Sequence, residues 1–75
     1  MKANDLIIIC DRLGISYTDV ATIVGVTPRQ VNSWIRSVHH IPRSVAILLA
    51  AIDNGELSLD WVVNAVEHEI RKETD

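Results

Sequence analysis

Apolar positions in this chain recur at helical rather than strand spacing, and glycine and proline divide them into five short pieces. In the first, residues 4–13, Leu6, Ile9, Cys10 and Leu13 fall three or four apart; Asn4 is positioned to cap and Gly14 to stop it. The run Leu6–Ile7–Ile8–Ile9 has β propensity, leaving a strand as the alternative there. The second piece, residues 17–24, follows Ser16 as cap, turns Val20, Ala21, Ile23 and Val24 inward, and ends at Gly25. The third starts with Thr27 as cap and Pro28 at the first helical position and runs to about Ser37. The fourth, about residues 42–53, is apolar around more than one face, so it is central to the core or shared with a partner. The fifth runs from Ser58 as cap to about Glu73, with Arg71 and Lys72 at the end that favours cations. Leu59, Val62, Val63, Val66 and Ile70 form one stripe about 100° wide, leaving Trp61 and Ala65 off it as a second apolar patch. The expectation is an all-α, five-helix single domain over residues 1–75.

Only three residues, Gly25, Val26 and Thr27, separate the second piece from the third, which is the connection length of a helix-turn-helix. On a helical wheel with Pro28 at 0°, Val31, Trp34 and Ile35 point between about 240° and 340°, and Arg29, Asn32, Ser33 and Arg36 between about 40° and 140°. Gln30 and Ser37 lie on one border. One face is therefore wholly apolar, while the other presents two guanidinium groups, a carboxamide and a hydroxyl. Such groups read base edges: the guanidinium fork matches the O6/N7 acceptors of guanine, and an Asn amide the N6/N7 edge of adenine.

Charge locates this chemistry. The net charge is −3, which on its face disfavours nucleic acid. Residues 1–19 sum to −1, however, residues 20–52 carry Arg29, Arg36 and Arg43 with no acid, and residues 53–75 sum to −5. A basic middle between acidic flanks serves a local phosphate surface, because exposed charges beyond about 8 Å are largely screened.

The stretch "DVATIVGVTPRQVNSWIR" (residues 19–36) also has a specific spacing. With Tyr17 as first position, Ala21 is fifth, Gly25 ninth, Val31 fifteenth and Trp34 eighteenth. This resembles the helix-turn-helix signature of the Cro/repressor (XRE-like, lambda-repressor-like) family, and "SVHHIPRSVAILLAAI" resembles its loop and fourth helix. The resemblance covers about residues 4–53. It implies that the helix at about 28–37 lies in the major groove of double-stranded DNA, with Pro28, Arg29, Asn32, Ser33 and Arg36 at the bases. It also places Tyr17, Thr18, Thr27, Gln30, His39, His40 and Arg43 along the phosphate backbone. Tyr17 stands where the family often has Gln, and Ile35 where it commonly has Glu. Stand-alone regulators of this size are frequent in phages and mobile elements, including autorepressors that accompany anti-CRISPR genes.

A 75-residue domain hides only about 60% of the surface its unfolded chain exposes, and Cys10 is alone, so neither a disulfide nor a Cys-rich zinc site supplements the core. Self-association is the expected support. The candidate homodimer contact is Trp61, Ala65 and His68 with Leu49 and Ile52, and the expected function is a homodimeric repressor on a palindromic operator. The alternative is a protein-binding adaptor, antitoxin-like or a phage packaging subunit, working through the acidic residues 67–75.

No catalytic residues, metal, cofactor or small-molecule ligand are expected. There is no convergent acid–base pair, no nucleophile with its base and no Gly-rich phosphate loop, and no Cys, Asp or Glu lies near His39 and His40 to complete a metal site. The amino-terminal apolar run is too short for a secretory signal or a membrane span, so a cytoplasmic protein is expected.

Overall fold

The computed structural model describes residues 1–74, with side chains as far as Glu69. Among the described residues there are five helices and no strand: α1 (Ala3–Leu13), α2 (Tyr17–Val24), α3 (Pro28–Ile35), α4 (Arg43–Asp53) and α5 (Leu59–Thr74). The β-prone run near the start is helical. Leu6, Ile9 and Cys10 are buried while Ile7 and Ile8 face outward. Asn4, expected as the cap, instead lies inside α1. The cap falls two residues earlier, at Lys2, whose backbone N–H donates to the Asp5 carboxylate at 2.9 Å.

Both helices of the central pair open with reciprocal capping boxes. The Ser16 hydroxyl accepts from Asp19 N–H at 3.0 Å, and the Asp19 carboxylate accepts from Ser16 N–H at 2.9 Å. Thr27 and Gln30 repeat this at the start of α3, at 3.2 and 3.1 Å. Two otherwise unsatisfied N–H groups are closed at each helix start, which sets where the turn between α2 and α3 ends. Gly25 makes that turn at φ +76°, and its N–H and that of Val26 both donate to the Ala21 carbonyl.

The main core joins Leu6 and Cys10 of α1, Val20 and Ala21 of α2, Val31 and Trp34 of α3, and Val45 and Leu49 of α4. Helix α3 packs on α2 and α1, and α1 also packs on α4. Burial pushes the Cys10 thiol above its ordinary value, so it stays protonated and acts as a small apolar group. A second cluster of Ile23, Ile52 and Val62 attaches α5 to α2 and to the end of α4, with Leu59 and Val66 packed against it. Ile70, expected on the same stripe, lies outside the described side chains.

A tie between α1 and α4 has no local sequence signal. The Arg12 guanidinium donates through Nε to Asp53 Oδ1 at 3.1 Å and through Nη2 to Oδ2 at 2.6 Å. This fork joins helix ends 41 residues apart. Among the described residues, no helix is long and apolar enough to cross a membrane.

Candidate nucleic-acid interface

Helix α3 is held by its apolar side. Val31 and Trp34 are 0% and 4% exposed, and Ile35 is half-buried. The opposite side is open: Pro28, Arg29, Asn32 and Arg36 are exposed, and Ser33 is partly so. Burying one stripe against α1 and α2 is what presents the other, so the core sets the aim of the arginines. Among the described residues no carboxylate pairs with Arg29, Arg36 or Arg43, since the ion pair there is Arg12–Asp53. All three guanidinium groups are available to an incoming anion or base edge.

Two of the polar groups on this side are partly committed. The Ser33 hydroxyl donates to the Gln30 carbonyl at 2.6 Å, leaving its lone pairs to accept, and the Gln30 carboxamide oxygen closes the capping box while its NH₂ remains a donor. Tyr17, Thr18, Thr27, Gln30, His39, His40 and Arg43 are all exposed. They lie at the start of α2, the start of α3 and the loop into α4, so they flank the open face of α3 in the chain. A shallow depression lined by Arg29, Gln30, Ser33, His39 and Pro42 brings that loop against α3.

The geometry and the residue pattern agree with a comparison against known families: the helix-turn-helix family model matches residues 6–61, well over half of the chain. The chain belongs to the helix-turn-helix family. The match is to the Cro/repressor (XRE) type, whose members are DNA-binding transcription regulators, and the five helices fit that fold. It begins at Leu6 in α1 and ends at Trp61 in α5, so it extends eight residues beyond the 53 to which the sequence resemblance reached. The same comparisons find no match among curated proteins and none among solved structures. Duplex DNA is the partner this family takes, and α2–turn–α3 is the unit that gives it its name.

The expected subunit contact divides in two. Trp61 is 62% exposed, His68 is exposed and Ala65 half-buried, so these reach the surface. Leu49 and Ile52 do not. At 0% and 4% exposed they fill the two core clusters and have no surface left to share, which corrects their place in the contact. The exposed apolar residue of α4 is instead Ile47, at 62%. Once the packing turns Val45, Leu49 and Ile52 inward, Ile47 points about 140–160° away from each. Beside Trp61 runs an open apolar groove of about 720 Å³, lined among others by Ile23, Gly25, Leu48, Ala65 and Val66.

Proposed function

We propose that the protein is a sequence-specific transcriptional repressor that binds a palindromic operator as a homodimer, with α3 of each subunit in the major groove. The observation that supports this reading is the acid-free polar face of α3: Arg29, Asn32 and Arg36 stand open, with no ion-pair partner among the described residues, on a helix rigidly held from behind. Arg29 and Arg36 are the candidates for guanine contacts, Asn32 for an adenine edge, and Ser33 for an accepting contact. Tyr17, Thr18, Thr27, Gln30, His39, His40 and Arg43 would fix the register on the phosphates.

The proposed subunit contact is Trp61 with Ala65 and His68 of α5, extended by Ile47 and the adjoining groove. An indole and an isoleucine each 62% exposed leave apolar surface in water that a second copy would cover. Two subunits so joined would set their α3 helices about 34 Å apart on one face of the duplex, which requires a twofold-symmetric site. The mode of action that needs fewest parts is occupancy: the dimer covers a promoter, its own included, as small autorepressors of phages and mobile elements do. No enzymatic activity or cofactor enters this reading.

Selection of bound sites from random duplexes tests it. The expected result is two inverted half-sites with centres about one helical turn apart. Recovery of no enriched sequence would overturn specific recognition, and enrichment of a single asymmetric site would overturn the dimer.

A further inference from the structure

Helix α3 ends differently from its neighbours. The chain turns left-handed after α1, α2 and α4 at glycines: Gly14 at φ +67°, Gly25 at +76° and Gly55 at +80°. After α3 it does so at Ser37, at φ +60°. The Ser37 N–H donates to the Trp34 carbonyl at 3.1 Å and the Val38 N–H to the Ser33 carbonyl at 2.9 Å, which is the hydrogen-bond pattern of a Schellman terminus. That terminus favours glycine because a Cβ is crowded in the left-handed region. A serine there keeps a hydroxyl where glycine would fold with less strain, and strain held against a local rule points to function.

The surroundings of Ser37 indicate what that hydroxyl serves. It is exposed, and it lines a groove of about 280 Å³ together with Lys2, Val38, His39 and His40. The start of α1 thus meets the end of α3 across 35 residues of sequence. Its polar lining residues are a lysine, a serine and two histidines, with no acidic residue, set on an apolar floor that includes Trp34 and Ile41. The carbonyl end of a helix ordinarily repels anions. Here the Asn32, Ser33 and Trp34 carbonyls each already accept an N–H, from Arg36, Val38 and Ser37, so that repulsion is blunted. Exposed Arg36, at the end of the same helix, is the neighbour on the base-reading side.

We propose that this groove seats one phosphate of the DNA backbone flanking the base pairs under α3, with the Ser37 hydroxyl donating to it and the Lys2 ammonium supplying the charge. The proposal rests on the reading of α3 as the DNA-reading helix and adds two contacts to it. The test uses the full chain and the duplex selected above, with Ser37→Gly, Ser37→Ala and Lys2→Gln compared with wild type in thermal melting and in binding across a salt series. Ser37→Gly is expected to melt at or above the wild-type temperature yet bind roughly three- to tenfold more weakly, the effect of one lost hydrogen bond. Ser37→Ala, which keeps the strain and loses the hydroxyl, should lose affinity to a similar extent. Lys2→Gln should lower the slope of log affinity against log salt by about one, with the ranking of operator variants unchanged in all three. Wild-type affinity in Ser37→Gly and Ser37→Ala, or an unchanged salt slope in Lys2→Gln, would overturn the seat. If Arg29→Ala still weakened binding in that case, the DNA-reading helix would stand without it. A wild-type chain that bound no duplex would overturn both.

Discussion

Arg29 occupies the first turn of α3, exposed on its open face and without an ion-pair partner among the described residues. Replacing it with alanine removes a forked donor without touching the core, so folding should be unaffected. The expected outcome is a loss of about 1–3 kcal/mol on the selected site, with base preference flattened at one position. Titration of wild type and Arg29→Ala against a panel of single-base variants checks this, and retained preference at every position would remove Arg29 as a base reader. Asp19 carries a different kind of prediction. The Ser16 backbone N–H, and secondarily the Ser16 side chain, hold its carboxyl below the usual carboxylate range. A depressed native value means that protons bind the unfolded chain more readily, so the contribution is complete above the unfolded value of about 3.9 and fades as pH falls through the lower native one. Urea midpoints of wild type and Asp19→Ala should therefore differ by a constant amount between about pH 5 and 7 and converge below about pH 4. Parallel curves down to acid pH would assign the capping effect to something other than the charge.

At the scale of elements, the α2–α3 pair owes its geometry to local chemistry at three points: the two capping boxes and the turn at Gly25. An alanine Cβ at Gly25 would meet no atom within 4 Å, so the cost of Gly25→Ala is conformational alone. At φ +76° that cost is about 1–2 kcal/mol, expected as a lower urea midpoint with an unchanged denaturant slope. A wild-type midpoint would show that the turn relaxes to another conformation. These signals were readable in advance because caps and turns act over three or four residues: Ser16, Gly25, Thr27 and Pro28 all stand where the sequence placed them. The ends without such markers were less legible. Helix α3 stops at Ile35 rather than near Ser37, because a serine gives no notice of a left-handed turn. Helix α1 starts before Asn4, where the Asp5 carboxylate accepts from the Lys2 backbone N–H.

The whole molecule separates residues that look alike in sequence. Leu49 and Trp61 were both expected at the subunit contact, yet one is 0% and the other 62% exposed. Leu49→Ala should cost about 2–5 kcal/mol of stability, enough to unfold much of a small domain. Trp61→Glu should leave the monomer folded and shift micromolar wild-type dimer to monomer. Denaturant unfolding and sedimentation velocity together check the pair. A Trp61→Glu protein that stayed dimeric would move the contact off α5, and a stable Leu49→Ala protein would contradict the core described above.

Periodicity, caps and punctuation were enough to determine the four later helices, the helix-turn-helix within them and the polar face of α3, because each depends on neighbours within a turn or two of the chain. For the β-prone first piece they left a strand open, and its packing on α3 and α4 as α1 decided it. Which side of α4 is buried could not be settled that way, since a helix apolar around several faces offers no contrast until α1 and α5 choose among them. The same holds for the Arg12–Asp53 fork and for the meeting of Lys2 with Ser37. Both bring together groups more than 30 residues apart, and only the packing of α1 against α3 and α4 creates those distances.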